Sequence, residues 1–212
     1  MKRFLPLALA SLMFFTGAAF AQDAYDDGSN LQEEHENEDI VRYEHIQFNH
    51  EGDQYLRVSL NLDIPIHPLN PFDDGHLNIG GMGTLGYNYF LTDSFSAGIE
   101  VGFGFNSTIG ENILNYIPIL LTGTWHPSLG KFEFPLTLGV GFAWETYNSY
   151  TYWPGLVIKP EAGVHYRIGD SWSIGVDVSY AFMPEFCKFW GTGDENIWMQ
   201  FFNVGVVARY FF

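Results

Sequence analysis

Hydrophobic residues alternate with polar residues or glycine along most of this sequence from Tyr55 onward, and this period of two most constrains the fold. In YLRVSLNLDIPI, residues 55–66, leucine, valine or isoleucine occupies every second position, with arginine, serine, asparagine and aspartate between them. About eight such stretches follow one another as far as Phe212. The sequence therefore predicts an all-β protein of eight strands.

The connections between the predicted strands alternate in length. The short turns TDS, PSLG and GDS join strands two and three, four and five, and six and seven. Longer connections are expected near residues 67–76, 106–115, 146–154 and 184–196. Hairpins with one tight end and one long end are typical of bacterial outer-membrane barrels.

A secreted β-sandwich also alternates, so three further features decide between the two folds. Aromatic residues such as Tyr87, Trp125 and Trp144 lie near the ends of the apolar faces, as in the aromatic girdles of membrane barrels. Glycine is frequent on the opposite faces, where the inside of a narrow barrel leaves little room. Lipid also tolerates no unpaired strand edge. We therefore predict an eight-stranded antiparallel up-and-down transmembrane β-barrel.

The polar faces then point into the lumen and bring charged side chains with them. The predicted lumen charges are Arg57, Asp63, Glu100, Lys159, Glu161, Asp177 and Arg209. Because a lone charge inside a narrow barrel costs several kcal/mol, we expect these residues to pair. Two interpretations remain: a structural plug of salt bridges, or a gate that opens when the partners exchange.

The N-terminal region differs from the barrel in composition. Residues 1–21 carry Lys2 and Arg3 before an apolar run and end in a small-x-small cleavage pattern, which predicts a signal peptide. Residues 22–54 are rich in aspartate and glutamate and predict a disordered periplasmic leader. The predicted barrel domain is 55–212.

Charge and residue usage exclude several classes of function. The formal net charge of −16 makes nucleic acid an improbable partner. His35, His45 and His50 match no defined metal-site spacing, and no cofactor motif is present, so we predict neither a metal nor a cofactor. With Cys187 alone, no intramolecular disulfide can form.

Several stretches resemble the OmpW family of small outer-membrane barrels. GYNYFLTDSFSAGIE is similar to that family's second hairpin, IPILLTGTWH to its strand ending in tryptophan, and FPLTLGVGFAW to its glycine-alternating strand. GVHYRIGDSWSIGVDVSYAF is similar to the third hairpin and VGVVARYFF to the ending. The resemblance covers roughly 55–212 and implies a narrow channel for small, often apolar, compounds.

Two further groups of residues carry predicted contacts. Tyr210 and Phe212 resemble the C-terminal signal read by the outer-membrane insertion machinery. Tyr150, Trp153, Phe189 and Trp190 are expected in long loops that face outside, where they either extend the aromatic girdle or contact a ligand.

The predicted function is that of an outer-membrane, porin-like barrel, with membrane lipid, the insertion machinery and a small-molecule solute as partners. The alternative is a structural or surface-exposed ligand-binding barrel without significant conductance. We do not expect an enzyme, because no Ser-His-acid set is apparent in the sequence.

Overall fold

The computed structural model describes residues 48–66, 77–108, 112–147, 150–187 and 196–212. The predicted signal peptide and residues 22–47 of the predicted leader lie outside these ranges. Within them, no helix has the length and apolar character needed to span a membrane.

Eight long strands and one short hairpin make up the described chain. The long strands are β1 (Gln54–Pro65), β2 (Gly80–Thr92), β3 (Phe95–Ser107), β4 (Ile113–Trp125), β7 (Leu136–Tyr147), β8 (Tyr150–Arg167), β9 (Trp172–Glu185) and β10 (Ile197–Phe211). The hairpin consists of β5 (Ser128–Leu129) and β6 (Phe132–Glu133). Because Pro135 has no amide hydrogen, the predicted fifth strand is interrupted, and β6 and β7 are separate elements.

Each long strand pairs with the next in antiparallel fashion, and the last pairs with the first. Tyr55 of β1 faces Phe211 of β10, and the register continues to Pro65 opposite Phe201. The sheet is therefore a closed eight-stranded antiparallel barrel, which confirms the predicted fold. We call the end with residues 93–94, 126–133 and 168–171 the turn end, and the opposite end the loop end.

The predicted alternation separates an outer apolar face from an inner face. On β1, for example, Leu60 is 67% exposed whereas the neighbouring Ser59 is buried. On β10, Phe202 and Val206 face outward, while Asn203 and Arg209 face the lumen. A continuous apolar exterior is what the hydrocarbon of a membrane requires of a barrel.

Two boundaries differ from the sequence prediction. Residues 146–154 were expected to form a long connection, but Tyr147 pairs with Tyr150, so β7 and β8 continue through most of this range. Tyrosine and threonine are frequent there, and both favour extended strands. The barrel also begins before Tyr55. The Gly52 N–H donates to the Phe90 carbonyl, so this part of the predicted leader is attached to the barrel.

Candidate functional site

The centre of the lumen is occupied by one guanidinium that contacts carboxylates from three strands. The Arg57 side chain bonds Glu100 of β3, Glu161 of β8 and Asp177 of β9. The Arg57 Nη2 atom lies 2.7 Å from Glu161 Oε1 and 2.6 Å from Asp177 Oδ2. Since Arg57 and its partners are shielded from solvent, these contacts tie three parts of the wall together across the lumen.

A second cation and a histidine extend this arrangement. Lys159 Nζ lies 2.5 Å from Glu100 Oε1 and 3.4 Å from Glu161 Oε2, and His165 Nε2 lies 2.6 Å from Asp177 Oδ1. We call the group of Arg57, Glu100, Lys159, Glu161, Asp177 and His165 the charge cluster. It contains five of the seven predicted lumen charges, and the cavity beside it measures only about 20 Å³, the size of one water molecule.

Glycine leaves room for the charge cluster between the neighbouring strands β8 and β9, where Gly163 pairs with Asp177 and Gly175 pairs with His165. A Cβ atom at Gly163 would lie 1.8 Å from Asp177 Oδ1, and one at Gly175 would lie 2.2 Å from the His165 ring. Any larger residue at these two positions would displace the pair that Asp177 and His165 form.

The other two predicted lumen charges do not belong to the charge cluster, although Arg209 lines the same small cavity. Asp63 is toward the loop end, where its Oδ2 accepts a hydrogen bond of 2.5 Å from the Tyr116 hydroxyl. Arg209 is toward the turn end, where it pairs with Glu133 and donates to Ser173 Oγ at 2.9 Å.

The loop-end half of the lumen contains a cluster of buried apolar residues beside buried polar ones such as Asp63, Glu145 and Asn203. The apolar residues are Leu77, Met82, Leu114, Tyr116, Leu120, Ala143, Val157, Ala181, Met183, Met199 and Phe201, which we call the apolar layer. Phe201 stacks on Tyr116 with 5.5 Å between ring centroids. Three methionines give this layer flexible side chains that can adapt to a bound molecule.

The wall beside the apolar layer is incompletely paired. The β8–β9 ladder ends at Ile158 opposite Phe182, although β8 continues to Tyr150 in contact with β7. Beyond this point the Tyr152 hydroxyl accepts a hydrogen bond of 2.8 Å from the Phe186 N–H. A side chain thus replaces backbone pairing between these two strands near the loop end.

At the turn end, the structure aligns a serine, a histidine and a carboxylate that sequence reasoning did not find. Ser96 Oγ lies 2.8 Å from His126 Nε2, and His126 Nδ1 lies 2.8 Å from Glu133 Oε1. The order is that of a catalytic triad, but Ser96 is 0% exposed and its hydroxyl also contacts Tyr55. The set therefore lacks the access to substrate that a nucleophile needs.

The protonation of this set follows from its surroundings. Burial lowers the pKa of His126, although the adjacent Glu133 acts in the opposite direction. Burial alone would raise the pKa of Glu133, but the Arg209 guanidinium holds it well below the usual carboxyl range. A neutral imidazole beside a carboxylate at neutral pH is the result.

The remaining predicted residues lie on or near the outer surface, or outside the described residues. Tyr150 is 80% exposed and Trp153 is 51% exposed, and both belong to β8 rather than to a loop. Trp153 lies beside Trp144 with 5.9 Å between ring centroids, as a girdle residue would. Phe189 and Trp190 are outside the described residues. Tyr210 and Phe212 stack on the outer face at the turn end, 6.0 Å apart.

By sequence, the chain is similar to a protein-family model and to uncharacterised bacterial proteins. A protein-family model matches residues 33–210. An uncharacterised protein of Treponema pallidum (strain Nichols) is 32% identical over 168 residues, which cover 70% of this chain and 75% of that protein.

Solved structures share the fold at low sequence identity. Neisserial surface protein A superposes with a TM-score of 0.58 at 9% identity, covering 76% of this chain and 99% of that one. Ail, the attachment invasion locus protein of Yersinia pestis, gives a TM-score of 0.50 at 12% identity with the same coverage. Both likenesses support a small closed β-barrel.

Proposed function

This chain belongs to the same protein family as the Treponema pallidum relative, and we propose that it is an outer-membrane protein whose barrel forms a narrow passage for small, apolar solutes. In this proposal the loop end faces outside and the turn end faces the periplasm. The resemblance to OmpW-type barrels in the strand motifs supports the same assignment.

The apolar layer is the observation that carries this proposal. Side chains of Met82, Met183 and Met199 point into the lumen, where a water-filled pore would have polar groups. Apolar contact with adaptable side chains favours small apolar molecules over ions. The charge cluster beneath this layer leaves room for about one water, so it opposes the flow of hydrated ions.

The charge cluster also favours a second candidate, a structural or surface-binding barrel without significant conductance. Arg57 and Lys159 are buried in contact with their carboxylate partners. If these pairs never separate, the lumen is a permanent plug, and the barrel acts through what its rims present to other molecules.

Uptake of a small apolar fluorescent probe by intact bacteria that express the chain would test the passage. We expect faster uptake than in cells with an empty vector, and uptake near background in Met82→Gln, which places an amide in the apolar layer. Asn88→Gln is the matched control, because Asn88 faces the lumen from the same strand but lies toward the turn end. Wild-type uptake at the background rate would contradict the passage and favour the second candidate.

Planar bilayer recordings would distinguish a gate from a plug. If the charge cluster opens, wild-type protein should give discrete channels, and Glu100→Gln should change their conductance because it weakens the contacts with Arg57 and Lys159. Silent bilayers for both proteins would identify the charge cluster as a plug.

A further inference from the structure

A second cavity lies at the turn end, where the lumen opens beyond the charge cluster. Its volume is about 410 Å³, within the range of small-ligand sites. The lining includes Asn49 from the start of the described chain, Lys131 from the β5–β6 turn, and Arg167, Ser173 and Arg209 from the ends of long strands.

Two cations, Arg167 and Lys131, belong to this lining, and their backbones are hydrogen-bonded to each other. The Arg167 N–H donates to the Lys131 carbonyl at 2.9 Å, which fixes the β5–β6 turn against the end of β8. The Arg167 guanidinium donates to the side-chain oxygen of Asn49 and to the backbone carbonyls of Gly169 and Asp170, all of which are uncharged. Within the part of the chain that the structure describes, neither Arg167 nor Lys131 forms an ion pair.

The buried Glu133 carboxylate of the cavity does not neutralise Arg167 and Lys131. Glu133 Oε1 already contacts His126 and Arg209, and Oε2 accepts from Asn49 at 2.9 Å. Asp93 also lines the cavity, where it accepts the Glu51 N–H at 2.9 Å.

The lining thus carries three cations against two carboxylates, and one of its buried donors is unused. Arg209 is 2% exposed, and its Nη2 atom has no hydrogen-bond partner among the described residues. A buried guanidinium with a free donor favours an additional anion nearby.

We propose that this turn-end cavity binds the phosphate group of a small ligand. A guanidinium fork and a neighbouring ammonium are the groups that proteins use most often for phosphate, and Ser94, Ser128 and Ser173 add hydroxyls to the lining. The volume leaves space for a polar body such as glycerol beside the phosphate.

Two sources can supply such a group, a soluble phosphoester or the headgroup of an anionic phospholipid. Trp125 and Phe132 line the cavity and are exposed on the barrel surface, where girdle aromatics meet lipid headgroups. The cavity therefore lies within reach of both water and membrane.

Binding is measured on the full chain in phosphatidylcholine nanodiscs by calorimetry with glycerol phosphate. We expect saturable binding that weakens with salt, and an affinity about fivefold lower in Lys131→Gln. Arg167→Lys should also weaken binding, because it keeps the charge but loses the fork. Lys188→Gln is the control. It removes the same charge between the end of β9 and the start of β10, which lie at the loop end, and it should bind as wild type.

Amine-reactive labelling of Lys131, followed by mass spectrometry, separates the two sources. Protection by glycerol phosphate in pure phosphatidylcholine nanodiscs indicates a soluble ligand, whereas protection by phosphatidylglycerol in the disc indicates a headgroup. Absence of saturable binding and of protection by either probe would overturn the proposal, as would equal binding by wild type, Lys131→Gln and Arg167→Lys. None of these readouts depends on solute passage.

Discussion

Arg57 illustrates how much a single side chain contributes to this lumen. Its guanidinium neutralises carboxylates from β3, β8 and β9 that would otherwise be buried together. Breaking a buried ion pair from one side usually costs more than the pair itself contributes, because the remaining charges stay desolvated.

We expect Arg57→Met to lower the free energy of unfolding by about 3–5 kcal/mol. The measurement is urea unfolding of the purified protein in detergent micelles. Lys131→Met, which removes an exposed cation, should change stability by less than about 0.5 kcal/mol. Equal midpoints for Arg57→Met and wild type would mean that the carboxylates are neutralised in another way.

A second prediction at this scale concerns Ser96. The hydrogen bonds from Ser96 to His126 and from His126 to Glu133 resemble those of a catalytic triad. The Ser96 side chain is buried, however, so its hydroxyl is not accessible to a substrate. We expect no labelling by a fluorophosphonate probe under conditions that label a soluble serine esterase. Labelling that disappears in Ser96→Ala would show that Ser96 is accessible and would reopen the question of an enzyme.

At the scale of the strands, inward-facing glycines set how closely neighbours can approach. A Cβ atom at Gly141 of β7 would lie 2.0 Å from the Ile119 carbonyl oxygen of β4. Backbone cannot move away as a flexible side chain can, so a methyl group at this position strains the β4–β7 pair.

Gly141→Ala should therefore lower the free energy of unfolding by about 1–3 kcal/mol. Gly169→Ala is the matched control, because a Cβ atom at Gly169 would meet nothing within 4 Å. The urea midpoints of the two variants give the comparison. A Gly141→Ala midpoint equal to that of Gly169→Ala would contradict the close approach of β4 and β7.

The strands were largely predictable from the sequence, whereas their ends were not. Alternation reports which face a side chain occupies, so the inward positions of Glu100, Lys159 and Asp177 followed from parity alone. Alternation does not report where pairing stops. It therefore missed the break at Pro135, the continuation of β7 to Tyr147 and the start of β8 at Tyr150.

The partners of the inward residues could not be predicted, because they depend on the register between paired strands. Ser96 and His126 meet only because β3 pairs with β4 so that Ser96 faces Thr124. The lining role of Asn49 was equally hidden, since its sequence context is that of the acidic leader.

For the molecule as a whole, the C-terminus is part of the closure. The Phe212 N–H donates to the Gln54 carbonyl at 3.1 Å, and the Phe212 ring extends the outer aromatic surface beside Tyr210. Both features lie where β10 closes onto β1.

Deleting Phe212 should lower the yield of folded protein in the outer membrane while changing the unfolding rate of an assembled barrel only slightly. Phe132→Ala, which removes another exposed aromatic ring at the turn end, should have a smaller effect on yield. Folded yield is measured by gel mobility without heating. Normal yield of the deletion would count against Tyr210 and Phe212 as an assembly signal.

The pairing of β1 with β10 determines when the barrel can close during folding. Because β10 follows the other seven long strands in the sequence, β1 has one unsatisfied hydrogen-bonding edge until β10 is available to pair with it. Neither edge is satisfied until both strands are present, so the last step of folding is a long-range one and is intrinsically slow. Until the barrel closes, these two unpaired edges can pair with other chains and so favour aggregation.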